Sequence, residues 1–345
     1  MVPGVIAPPT QWYDLVYQYF EKSGWPLGLL AVLAALVKFL LILAFITVNV
    51  LFLIWLERKV SAWMQNRLGP MRTGPYGLLQ TLADALKLLF KEDVIPSAAD
   101  RWVFALAPVV TFAPALLIYV VLPFSDGMVV QDLNIGILFV AAMTSVGVPS
   151  FLMAGWGSNN KWSVFGALRS AAQLVSYEVP LVLAAVAVVM LAGSLSLNDI
   201  VAAQQRMGWF IWLQPIGFLV YYVAALAEAN RAPFDLIEAE SELVAGFNTE
   251  YSGMRWAIFF LAEYANLFSS SAIAATLYFG GWSGPWLPGF AWFMIKTYIL
   301  IFLAMWLRWT LPRIRVDQLM NLGWKVLIPL GLVNLGVTGV YLLVK

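Results

Sequence analysis

Carboxylates are scarce in this chain and unevenly placed. Glu228, Asp235, Glu238, Glu240, Glu242 and Glu250 crowd into Glu228–Tyr251, about a third of its 19 acids. Glu178 and Glu263 stand alone inside long apolar runs. Acids so placed suit proton handling, because an unpaired carboxylate in a low-dielectric setting favours its neutral, proton-carrying form. Two readings of the crowded stretch stay open: a solvated loop whose acids cap a short helix starting near Pro233, or a polar chamber that moves protons. In a helix, Glu238 and Glu242 fall one turn apart, where like charges repel. For Glu178 and Glu263 the alternatives are a relay or hydrogen bonds that hold helices together.

Spacing narrows the local partners. Glu178 follows Arg169 by nine residues, about 13 Å along a helix and half a turn out of phase, so Arg169 is a poor partner. Pro180 should kink this segment and free carbonyls beside the acid. Glu263 sits eight residues beyond Arg255. Glu228 precedes Arg231 by three residues, a spacing that allows a pair.

The sequence is 62% hydrophobic and 11% charged, with a mean hydropathy of +0.82. Soluble domains are about a quarter charged, so the composition is that of an all-α polytopic membrane protein. A net charge of +1 argues against nucleic acid as a partner. Cysteine and histidine are both absent. That removes disulfides, Cys or His metal sites, iron–sulfur ligation and His-based triads. Any redox step must therefore borrow its cofactor from another subunit.

Apolar runs of about 20 residues fall near 29–56, 102–122, 133–153, 164–192, 209–229, 254–280, 289–311 and 325–344, which gives eight expected spans. Of the 20 basic residues, fifteen sort to the side carrying 57–100 and 228–252, leaving Lys22, Lys38, Arg206, Lys296 and Lys345 opposite. The positive-inside rule then makes those loops cytoplasmic and puts both termini outside. Residues 1–26 lack the marks of a removable leader and show helical spacing of Trp12, Val16, Tyr19 and Phe20, as in an interfacial segment on the outer side. No internal repeat or linker is visible, and 1–345 is expected to form one membrane domain.

The loop 57–100 reads as two amphipathic helices, Glu57–Leu68 and Tyr76–Lys91, around the rigid turn Gly69–Pro75. Such a pair could form the floor or entrance of a cavity at the membrane surface. The plainer reading is a positive-inside anchor with an ordinary Asp84–Lys87 pair.

The motifs WLERK (Trp55–Lys59), GPMRTGPYGLLQTLADALKLLFKE (Gly69–Glu92), GSNNKWS (Gly157–Ser163), LRSAAQLVSYE (Leu168–Glu178), AEANRAPFDLIEAESELVAGFNTEYSG (Ala227–Gly253), AEY (Ala262–Tyr264) and LRWTLPRIRVDQLM (Leu307–Met320) occur in one order. Together they resemble the quinone-site membrane subunit of complex I, NADH:quinone oxidoreductase, over about residues 40–330. The resemblance implies an eight-span subunit that holds quinone as substrate and starts a proton-coupling path. It implies iron–sulfur and flavin centres in partner subunits only, and neighbours that include iron–sulfur quinone-module subunits, small membrane subunits and antiporter-like pumps. Carried onto this sequence, Glu57, Arg58, Asp84, Lys87, Arg231, Phe234 and Asp235 match positions around the quinone cavity. Glu178, Glu228, Glu238, Glu240, Glu242 and Glu263 match the coupling carboxylates.

Two positions depart from the pattern. Met71 stands where many relatives have Asn, and Gly147 where some bacterial members carry a further Glu. Photosynthetic ferredoxin-driven complexes and membrane-bound hydrogenases share the pattern. Outside this class, the rivals are a stand-alone cation/proton transporter, which predicts transport by the chain alone, and a purely structural anchor.

Overall fold

The computed structural model describes residues 27–236 and 243–344. The expected interfacial segment at 1–26 and the acids Glu238, Glu240 and Glu242 lie outside them. Among the described residues the chain is helical and has no β-strand. Seven of the helices among the described residues are long and apolar enough to cross a membrane, and Pro215–Glu228 is a shorter apolar one.

Helix α1 (Leu27–Met64) has 38 residues and is therefore about 57 Å long. It runs unbroken through Glu57–Met64, so the first of the two expected surface helices is the end of the first span. The chain turns at Gly69–Gly77 and enters α2 (Gln80–Phe90). Gly77 has φ +74°, and a Cβ there would sit 2.4 Å from the Pro70 carbonyl oxygen, so the turn needs glycine. The buried Lys59 clamps the same corner: its Nζ donates to the carbonyls of Leu68 and Pro70 and reaches Met71 Sδ at 3.1 Å. Met71 therefore places a soft acceptor against a buried ammonium.

Helices α3 (Arg101–Ile118), α4 (Gly136–Gly157) and α5 (Lys161–Ala192) pack in sequence order. Asp100 caps α3 and Asn160 caps α5, each accepting from the first-turn amides. Helix α5 continues through Pro180. After helix α6 (Leu197–Met207), the expected span 209–229 is broken. A single turn, α7 (Phe210–Leu213), ends at Gln214, and α8 (Pro215–Glu228) starts afresh. Proline lacks an N–H and drives the residue before it out of the helical region, and Gln214 has φ −133°, ψ 58°. The Gln214 side chain is buried at the break and donates to the Ala187 carbonyl and Thr338 Oγ1.

The fold closes with α9 (Gly253–Tyr278), α10 (Gly289–Thr310), α11 (Val316–Asn321), a π-helical turn and α12 (Ile328–Val344). Helix α9 packs against α3 and α10, and α5 lies against α8 and α12. The small residues Gly166 and Gly246 let α5 meet the acidic loop closely: a Cβ on Gly166 would lie 2.7 Å from Gly246 Cα. Phe104, Phe151, Phe247, Tyr251 and Phe259 form an apolar cluster that seats this loop.

Candidate functional site: an ion-pair clamp between a groove and an acid chamber

The end of α8 and the turn after it bring Arg231 into the protein interior, 2% exposed. Its backbone N–H donates to the Leu226 carbonyl, and Gln173 of α5 holds the Ala227 carbonyl at 2.7 Å. Arg231 Nη1 donates to Glu57 Oε2 at 2.9 Å, and Nε lies 3.1 Å from Glu263 Oε1. The second contact is a close approach of charges without hydrogen-bond alignment. Burial works against the guanidinium's charge, but Glu57 and Glu263 more than offset that, so its pKa is held above the ordinary arginine range.

Glu57 is also buried and carries three donors. Tyr264 OH donates to Oε2 at 2.8 Å, and Arg308 from α10 bonds Oε1. The Arg231 guanidinium stacks 4.1 Å from the Tyr264 ring centroid. Residues from α1, the loop after α8, α9 and α10 thus form one clamp. Its expected local alternative, a Glu228–Arg231 pair, is not the arrangement found.

On one side of α9 lies a narrow chamber of about 70 Å³, lined by Glu228, Glu263, Thr144, Gly147, Asn266 and Ser270 among others. Thr144 reaches Glu228 with its hydroxyl, and Glu178 is close enough to act on Glu228 electrostatically. Ser145 of α4 donates to Glu178. Glu178 therefore meets α4 through Ser145, and Glu263 lines the chamber. A Cβ added to Gly147 would meet nothing within 4 Å, so this position borders open space.

On the other side of α9 is a groove of about 600 Å³ between α1, α2 and α9. Its walls are mostly apolar, including Val50, Ile54, Leu88, Met254, Ala257 and Leu261, and its rim carries Arg58, Asp84, Lys87 and Lys91. From Arg58 to Thr47 it follows α1 for about 16 Å. Asp84 pairs with Arg58 at 2.6 Å and accepts from Gln80, so the Asp84–Lys87 pair of the plainer reading gives way to one across the mouth. Leu82, Leu86, Leu89 and Phe90 are exposed along α2, as suits a helix lying at the membrane surface.

The sequence profile of the NADH dehydrogenase family matches residues 37–339. The chain belongs to that family. It is similar to the H-type NADH-quinone oxidoreductase subunit of Dehalococcoides mccartyi, 54% identical over 90% of this chain and 87% of the relative. It is similar to the same-named subunit of Carboxydothermus hydrogenoformans, 53% identical over 86% of each chain. An H-type NADH-quinone oxidoreductase subunit of Geobacter sulfurreducens is 47% identical over 93% of this chain and 98% of its own length.

Within this NADH dehydrogenase family chain, the residues singled out from sequence separate into distinct places. Arg58, Asp84 and Lys87 line the groove, Glu57 and Arg231 form the clamp, and Glu228 and Glu263 line the chamber. Phe234 packs on the Tyr177 ring, 5.6 Å between centroids, and Asp235 pairs with Arg313 at 3.4 Å. Arg231–Leu236 is a turn, so the helix expected to begin near Pro233 does not form over these residues. Glu250 accepts from Asn160 Nδ2 at 2.6 Å, which makes the GSNNKWS motif a tether for the acidic loop. Sequence reading missed Tyr264, Arg308 as a partner of Glu57, Thr144, Ser145 and Gln173. Tyr264 had a signal, a hydroxyl beside an intramembrane acid; the others are ordinary helix residues until the helices pack.

Proposed function

We propose that the groove admits a quinone from the bilayer and that the chamber moves protons coupled to its reduction. The observation that carries this is the placement of α9: it lines an apolar groove with a charged rim on one flank and an acid chamber on the other. A molecule with an apolar tail and a polar ring fits such a groove. Quinone reduction takes up electrons and protons together. The electrons come from iron–sulfur and flavin centres of partner subunits, since this chain has no cysteine or histidine to hold such a centre. Protons pass among Glu178, Glu228 and Glu263, with Glu238, Glu240 and Glu242 completing the approach from the cytoplasmic side. Water fills the gap at Gly147.

The same reading places the basic loops on the cytoplasmic side of a bacterial inner membrane with both termini outside. There, Arg313 and Arg315 meet the iron–sulfur quinone-module subunits, while small membrane subunits and antiporter-like pumps adjoin the spans. The names of the relatives speak against a stand-alone transporter. The test uses the assembled complex in inverted membrane vesicles. Glu178→Gln and Glu228→Gln should each lower donor-driven proton translocation roughly tenfold or more. Translocation at the wild-type rate with the complex assembled removes the chamber from the path.

A further inference from the structure

Trp256, Phe260 and Tyr264 recur every four residues on α9 and form one aromatic ridge. Trp256 and Phe260 stack with centroids 5.0 Å apart, and Phe260 meets Tyr264 edge-on at 4.9 Å. Tyr264 in turn donates to Glu57 and lies under Arg231, whose other carboxylate is Glu263. Phe260 is half-buried, and it lines both the groove and the chamber. No other described residue lines both cavities.

We propose that Phe260 is a positioning residue that transmits occupancy of the groove to the acid chamber. This rests on the groove taking a quinone. A flat ring lodged beside Trp256 and Phe260 presses on the ridge, and the edge contact passes that displacement to Tyr264. Tyr264 cannot shift without moving the hydrogen bond to Glu57 or the guanidinium stacked on its face. The contact within reach of such a shift is Arg231–Glu263, because it lacks hydrogen-bond alignment, while the Arg231–Glu57 bond is aligned. Loosening it frees Glu263 to take a proton from the chamber. Phe260 also separates an amphiphile's path from the protons' path, so a smaller residue opens one to the other.

The experiment compares Phe260→Leu and Phe260→Ala in the whole complex, reading protons translocated per electron delivered to a short-tailed benzoquinone. That ratio is insensitive to how much complex is present. It is expected to fall with side-chain volume, by about twofold or more for Phe260→Ala. An unchanged ratio in Phe260→Ala overturns the proposal. If that variant does not assemble, an unchanged ratio in Phe260→Leu does the same. A photoreactive azidoquinone separates this proposal from the reading beneath it. Labelling within 254–261 with an unchanged ratio defeats the Phe260 role alone, and absence of labelling there defeats the quinone groove itself.

Discussion

Arg231 reaches across to Glu263 on another helix, 3.1 Å away, instead of pairing with Glu228 three residues before it. The choice decides what each acid can do. Glu263 has a fixed cation beside it, while Glu228 faces the chamber with Thr144 and the like charge of Glu178 as neighbours. Acids in one cavity are thereby given different environments, which is what a directional relay requires.

The clamp is the first object to test. Removing one member of a buried pair strands the remaining charges and typically costs about 3–5 kcal/mol. Arg231→Met should approach this range, because Glu57 keeps Arg308 and Tyr264 but Glu263 loses its close cation. The expected result is a lower melting temperature of the detergent-solubilised complex, partly recovered in Arg231→Met/Glu263→Gln. A melting temperature unchanged by Arg231→Met would mean that the clamp adds nothing to stability.

Two glycines on neighbouring helices should respond in opposite ways. Gly147→Glu adds a side chain where the Cβ meets open chamber space, so the complex should assemble as well as wild type. Gly166→Ala drives a methyl against the Gly246 backbone at 2.7 Å and should cost about 1–3 kcal/mol by overpacking. Assembled complex on native gels and its thermal midpoint give the comparison. Equal behaviour of the two variants would contradict the packing described.

Lys296 provides a further test. Its buried ammonium donates to the carbonyls of Phe279, Gly281 and Ser283 at 2.7, 2.9 and 2.6 Å. It thereby gathers the end of α9 and the turn that follows. Lys296→Met keeps the stem and removes the charge, leaving these carbonyls without it. A loss of about 3 kcal/mol is expected, seen as faster proteolysis of the 279–288 turn. Proteolysis at the wild-type rate would show that the carbonyls find other partners.

Much of the site was legible as residue types and little of it as pairings. Glu57, Arg231 and Glu263 were marked from sequence, but the contacts between them join positions 174 and 32 residues apart. Helical spacing offered Lys87 to Asp84 in the plainer of two readings, and the fold gave it Arg58 on α1. The break at Gln214–Pro215 was written in the sequence as a proline and read through, because the flanking residues are apolar enough to span.

The sequence by itself determined that this is a membrane chain of about eight apolar segments, where its charges are concentrated, and that it holds no redox centre of its own on Cys or His. Those follow from composition and the cost of placing charge in hydrocarbon. Only the tertiary structure decided which acid meets which arginine, that the groove and chamber share α9, and that Gly147 faces open space. In a bilayer the lipid-facing and core-facing sides of a helix are both apolar, so periodicity does not tell which side looks inward. That information arises when the helices pack.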